Sequence, residues 1–176
     1  KSGQKTGFFL DQRDNRACVG ELSRGAQSVL NLFSYSGGFS LYAARAGAKE
    51  VCSVDFNRHA IEAACRNFSL NSHDPNVASC NHIGITGDAF EVMDSMESGK
   101  KLFDVVVVDP PSFAKSTAEK PVAIKSYARL ARSAVRLVKH NGILVFASCS
   151  SRITADELFD VVRIDLGVFV LDDAAR

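Results

Sequence analysis

The sequence predicts an α/β fold: a doubly wound, mostly parallel sheet with helices on both faces. Three observations carry that expectation. Short apolar runs alternate with longer segments of helical period between residues 28 and 151. The run KLFDVVVVDPP (101–111) holds consecutive valines, as a strand covered on both faces does. The runs also end in small or acidic residues, which right-handed crossovers would gather along one edge of the sheet.

SVLNLF (28–33) is the first strand, and SYSGGFS after it is a turn of small residues. Residues 38–47 read as a helix with Phe39, Tyr42, Ala43 and Ala46 on one side. EVCSVDF (50–56) is the next strand. RHAIEAACRNFSLN (58–71) is a helix whose Ile61, Ala64, Cys65 and Phe68 share a face. SCNHIGITGD (79–88) is a weaker strand ending at an acid, and AFEVMDSME (89–97) a short helix. After the valine strand, VAIKSYARLARSAVRLVKHNG (122–142) reads as a helix closed by its glycine, with Leu130, Ala134, Leu137 and Val138 towards the sheet. ILVFASCS (143–150) follows as a strand, and GVFVLDD (167–173) offers one more.

Bulk properties narrow the class. A chain of 176 residues suits one well-cored domain, with residues 28–151 as its core and 1–20 as an N-terminal segment. No apolar run is long enough to span a membrane, and KSGQKTGFFLDQR lacks the core of a signal peptide. The five cysteines (18, 52, 65, 80 and 149) are odd in number, widely spaced and without a CxxC pair. They read as reduced thiols in a cytoplasmic setting, not as a disulfide framework or a metal site. Formal net charge is only +1, yet Lys115, Lys120, Lys125, Arg129, Arg132, Arg136 and Lys139 lie close together against Glu119 alone. Such a stripe is either a nucleic-acid face or a solvated helix face.

The strand ends carry the chemistry. Gly37 and Gly38 would let the backbone approach a ligand at a helix N-terminus, or would merely form a tight turn. Neither the GxGxxG nor the GxxxxGK[ST] phosphate fingerprint is present, so a nucleotide without a pyrophosphate suits this loop better. Asp55 is placed to hold a ribose diol, or else to cap the next helix. The Asp88-Ala89 pair would frame an adenine edge or open the following helix. Asp109-Pro110-Pro111-Ser112-Phe113 is a rigid extended turn whose acid and ring suit a planar heterocycle, or it is a merely structural loop. Cys149, boxed in by serines, is either a small hydrophobe ending a strand or a nucleophile over a substrate.

KTGFFLDQRDNR (5–16), NLFSYSGGFS (31–40), SVDF (53–56), GDAFEVM (87–93), DPPSFAKS (109–116) and SCSS (148–151) together resemble the catalytic domain of class I S-adenosylmethionine-dependent methyltransferases. More narrowly, they resemble the ribosomal-RNA 5-methylcytosine methyltransferases that carry a PUA domain. The resemblance implies S-adenosylmethionine as cofactor and an RNA, most simply rRNA, as partner. It implies that Asn31, Phe33, Ser34, Tyr35, Ser36, Gly37 and Gly38 wrap the methionine end of the cofactor. Asp55 and Phe56 would then meet the ribose side, Asp88 and Ala89 the adenine, and Gln12 and Arg13 would belong to a lid. Asp109 would stand at the transfer site, with Pro110, Pro111, Phe113 and Lys115 towards the substrate.

Cytosine C5 is a poor nucleophile until a thiolate adds at C6, and that gives Cys149 a task. Asp109, protonated, would support the adduct at ring N3. Cys52 and Cys65 read as packing residues, while Cys18 and Cys80 have no motif around them. On this resemblance the expectation is a methyltransferase domain without a PUA domain, with a C-terminal end short for a sheet that normally finishes with an antiparallel pair. An uncovered last edge would leave oligomerisation open. Two other readings stay open: methylation of a guanine nitrogen, which needs no thiol, and cofactor or RNA binding without turnover.

Overall fold

The computed structural model describes residues 12–114, 116–148, 153–162 and 168–172. Six strands form one sheet: β1 (Ser28–Leu32), β2 (Glu50–Asp55), β3 (Asn81–Thr86), β4 (Phe103–Val108), β5 (Val138–Ser148) and β6 (Val168–Asp172). Their order is β3-β2-β1-β4-β5-β6, and every pair is parallel. The helices are α1 (Arg13–Leu22), α2 (Gly38–Arg45), α3 (Arg58–Leu70), α4 (Pro75–Ser79), α5 (Ala89–Ser98), α6 (Lys120–Val135) and α7 (Ala155–Val162). The expected doubly wound sheet is therefore present. β6 differs from the antiparallel finish anticipated above, since it pairs parallel with β5 from Leu144↔Val168 to Ser148↔Asp172.

Strand alternation divides the core into two layers. Leu30, Leu32, Cys52, Val54, Val106, Val108, Leu144 and Phe146 face α5, α6 and α7. Val29, Val51, Val105, Val107 and Val145 face the opposite layer, which contains Val19 of α1, Phe39 and Ala43 of α2, and Phe68 of α3. The four valines of β4 are each at most 1% exposed, so the run is covered on both sides as its sequence implied. Burying each contributes about 1.5–3 kcal/mol.

Several helical expectations change. α1, α4 and α7 were not anticipated; in α1 (RDNRACVGEL) only Val19 and Gly20, with the polar Arg16, are buried. On α3 the buried set is Ala60, Ile61, Ala64 and Phe68, and Cys65 falls at its margin and is exposed. α6 ends at Val135 instead of running to Gly142, because Val138 already pairs with Phe103. Lys139 to Gly142 then stand against Asp104 alone before pairing resumes at Val105↔Ile143. This large bulge is made by Asn141 at φ 62° and by Gly142, where a Cβ would lie 2.9 Å from the Asp104 carbonyl oxygen.

The bulge also breaks the basic stripe. Lys139 leaves the helix and its Nζ donates to both Asp104 oxygens at 3.0 and 3.1 Å. Arg136 pairs with Glu97 at 3.3 Å, and the Arg129 guanidinium lies 4.3 Å from the centre of the Phe90 ring. These arginines are thus partly occupied by α5, as a solvated, ion-paired helix face would be.

Asp104 fastens the end of the sheet opposite the strand carboxyl ends. Its Oδ2 accepts from the Gln27 and Ser28 backbone N–H groups, both at 2.8 Å, so one carboxylate joins β1, β4 and β5. Burial raises its pKa, but Lys139 and the two N–H groups outweigh that and hold it below its ordinary value. The stabilisation is therefore complete above the unfolded value near 3.8 and fades as pH falls through the lower folded value. Asp104→Asn should cost about 1.5–3 kcal/mol at neutral pH. Urea unfolding at a series of pH values should show the gap to wild type narrowing below pH ~4; a pH-independent gap contradicts this role.

Candidate functional site

Strand order reverses between β1 and β4, because the chain winds from β1 through β2 to β3 on one side and from β4 to β5 on the other. Such a reversal opens a crevice beyond the strand carboxyl ends. The loops after β1 and β4 form its two lips, and the Asp109 N–H points to the Leu32 carbonyl oxygen at 3.5 Å between them.

The loop after β1 is held in an uncommon conformation. Phe33 (φ 57°) and Tyr35 (φ 46°) are left-handed without being glycine, and Gly37 follows at φ 78°. Each non-glycine residue of this kind costs on the order of 1 kcal/mol and survives only where its surroundings dictate it. Here they do. The Ser34 N–H donates to the Val54 carbonyl at 2.9 Å, the Gly37 N–H to that of Ser34 at 2.8 Å, and Asn67 Nδ2 to that of Ser36 at 2.9 Å. A Cβ on Gly37 would come 2.8 Å from the Ala64 Cβ, so only glycine lets α3 lie this close.

Asp55 anchors the same loop from the second strand. Its Oδ2 accepts from the Tyr35 N–H and its Oδ1 from the Asn57 N–H, both at 2.8 Å. The α3 cap is Asn57, whose side chain accepts from the His59 N–H at 2.9 Å, so the capping alternative for Asp55 fails. A carboxylate has about four acceptor positions, and two N–H groups leave room for a diol. Phe56, next along, is 81% exposed and offers an open aromatic face. Asp88 does cap a helix, accepting from the Phe90 N–H at 2.9 Å and the Glu91 N–H at 3.2 Å, and Ala89 behind it is buried.

On the other lip Pro110 is buried, Pro111 exposed and Asp109 partly buried. The Phe113 ring tilts onto the buried Tyr127 with centroids 4.8 Å apart, so one of its faces belongs to the core. Gln12 is buried and accepts from Asn15 Nδ2 at 3.0 Å, while Arg13 is exposed beside Asp14. Cys149, Lys115 and residues 1–11 lie outside the described residues. Cys52 is buried and its thiol is pushed up to about 11 by that burial, which makes it a packing residue. Desolvation likewise raises Cys80 to about 11. Among the described residues no three His, Cys, Asp or Glu side chains cluster as metal ligands, and no helix is long and apolar enough to cross a membrane.

The described residues fit a cofactor with a diol and an amino-acid end but no phosphate. Asn31 Oδ1 and Ser34 Oγ are buried with no partner among the described residues. The N-terminus of α2 has no side-chain cap, leaving first-turn N–H groups for an anionic group such as a carboxylate. No Lys or Arg occurs between Asn31 and Gly38 to meet a phosphate. Asn31 itself sits beneath the loop and not on its surface: it is fully buried, and its Nδ2 donates to Ser40 Oγ at 2.8 Å. That bond belongs to a buried polar chain through Ser40, Ser53 and His82 that sequence reading missed. Its only trace in the sequence is a few single polar residues set into apolar runs.

Comparison with known proteins identifies the family. Residues 1–166 match the family described as S-adenosylmethionine-dependent methyltransferase. A ribosomal RNA large subunit methyltransferase of Deinococcus radiodurans is 47% identical over 162 residues, covering 92% of this chain and 38% of its own length. Ribosomal RNA large subunit methyltransferase I of Aeromonas salmonicida is 41% identical over 172 residues, covering 93% and 42%. The chain therefore spans about two fifths of the curated relatives it matches. A solved protein complexed with SAH superimposes with a TM-score of 0.77 at 27% identity, covering 92% of this chain and 41% of the other. Sheet order, crevice and family match converge: the chain belongs to the S-adenosylmethionine-dependent methyltransferases.

Proposed function

We propose that this chain is the methyl-transferring unit of a large-subunit ribosomal RNA methyltransferase that acts on cytosine C5 through Cys149. The observation that carries the reading is the parallel pairing of β4 and β5, with Val108 opposite Phe146. Asp109 follows β4, and Cys149 follows Ser148 at the end of β5. In this reading the acid that follows β4 and the thiol that follows β5 in the sequence act together beside the Asp55-anchored loop. The names of the curated relatives support rRNA as the substrate.

S-adenosylmethionine supplies an electrophilic methyl group on a sulfonium. In this reading Asp55 accepts the ribose hydroxyls, Phe56 covers the adenine with Asp88 and Ala89 at its edge, and residues 33–38 hold the methionine end. Gln12 and Arg13 close over that site. Pro110, Pro111, Phe113 and Lys115 contact the target base and its flanking phosphates. The Cys149 thiolate forms a bond to C6, and electron density moves to C5 while Asp109 protonates N3. C5 takes the methyl group as the sulfonium–methyl bond breaks. A base then removes the C5 proton, the C6–sulfur bond breaks, and Asp109 recovers its proton from N3. The balance is one methyl gained by the RNA and one proton released.

Two experiments follow. rRNA containing 5-fluorocytosine, incubated with the chain and S-adenosylmethionine, should yield a covalent adduct on a denaturing gel that vanishes in Cys149→Ala. Equal adduct in that variant overturns the nucleophile, and methyl transfer undiminished in Cys149→Ser favours a base nitrogen as acceptor. Gly37→Ala should cost about 1–3 kcal/mol and weaken S-adenosylhomocysteine binding at least ~10-fold by calorimetry. Gly25→Ala is the control: it shares a positive φ (74°) but meets nothing within 4 Å, so it should leave affinity unchanged. Wild-type affinity in Gly37→Ala contradicts the loop assignment.

A further inference from the structure

A line of four polar side chains runs beneath the loop after β1. Asn31 Nδ2 donates to Ser40 Oγ at 2.8 Å, Ser40 Oγ lies 2.7 Å from Ser53 Oγ, and Ser53 Oγ lies 2.9 Å from His82 Nε2. The members come from β1, α2, β2 and β3, so the line crosses three strands on one face of the sheet. Asn31, Ser40 and Ser53 are wholly buried among valines and alanines. Burying a hydroxyl or amide is unfavourable unless it is bonded, so these contacts are obligatory once the residues are there.

With Asn31 Nδ2 donating to Ser40, one arrangement gives every hydroxyl proton of the line an acceptor within it: the Ser40 hydroxyl donates to Ser53 and the Ser53 hydroxyl to His82. His82 Nε2 is then an acceptor and its proton sits on Nδ1. The ring is stacked on Phe68 with centroids 3.7 Å apart, and its burial lowers its pKa to about 4, which keeps it neutral. The reverse direction would start from an Nε2–H donor and end on Asn31 Oδ1. It would turn the amide and leave its NH2 group bare in the core. In the direction seen, Oδ1 is the atom left open at the root of the loop.

We propose that His82 is a positioning residue for cofactor binding: as the terminal acceptor of the chain it fixes the orientation of the Asn31 amide. The Oδ1 acceptor is thereby presented beneath residues 33–37. The inference rests on the reading of those residues as the cofactor loop. It assigns a role to a side chain in the body of the edge strand β3.

His82→Phe keeps the stack on Phe68 and removes the acceptor, whereas His82→Gln retains an acceptor. Calorimetric titration with S-adenosylhomocysteine, well below the unfolding temperature, should show His82→Phe binding about 5–10-fold more weakly, as one lost hydrogen bond implies. His82→Gln should stay within about twofold of wild type, and Ser53→Ala should match His82→Phe, with the double variant no weaker than either single one. Nitrogen NMR of the wild type should find Nε2 unprotonated. Unchanged affinity in His82→Phe, a loss just as large in His82→Gln, or a protonated Nε2 each overturns the positioning role. Should His82→Phe not fold, Ser53→Ala alone decides the same question by its affinity. A wild-type chain that binds no S-adenosylhomocysteine instead overturns the reading of the loop, and this inference with it.

Discussion

β1 lies between two strands whose onward connections lead to opposite sides of the sheet, and that position creates the crevice. The loop leaving β1 turns sharply at the sheet edge into α2, which packs back over β1 and β2. Asp55 makes that turn durable. One of its oxygens takes the Tyr35 N–H and the other the Asn57 N–H, which ties the β1 loop to the start of α3. The left-handed residues Phe33 and Tyr35 are tolerated because Asp55, Val54 and Asn67 fix the loop from three directions.

The two ends of the sheet are built differently. At the end away from the crevice, Asp104 binds two backbone N–H groups and Lys139, a charged clamp across three strands. At the crevice end the backbone is shaped by positive φ values, a glycine against α3 and two prolines. At that rim Asn31 Oδ1 and Ser34 Oγ are buried without a partner among the described residues, each at a cost of about 1–3 kcal/mol.

Much of the sheet and the crevice was legible because it depends on local chemistry. Apolar runs marked β1, β2 and β4, and small or acidic residues marked their ends. Features that depend on distant partners were not legible. Leu137 and Val138 continue the helical period of α6, and only pairing with Phe103 makes Val138 the first residue of β5. Arg16 and Gln12 are buried although charged or polar, so the inner face of α1 does not register as apolar. Cys65 fits the spacing of a buried face, but the edge strand it overlies leaves it open to solvent. Asn31, Ser40, Ser53 and His82 are ordinary residues in sequence and become a chain only when four elements meet.

If a phosphate-free nucleoside cofactor is held at the β1–β2 rim with Asp55 on its sugar, a crystal structure of the chain soaked with S-adenosylhomocysteine will show it directly. Both ribose hydroxyls will then lie within hydrogen-bond distance of the Asp55 carboxylate, with the amino-acid end against residues 33–38. Ligand density in the groove between α5 and α6, or a ribose remote from Asp55, would contradict it.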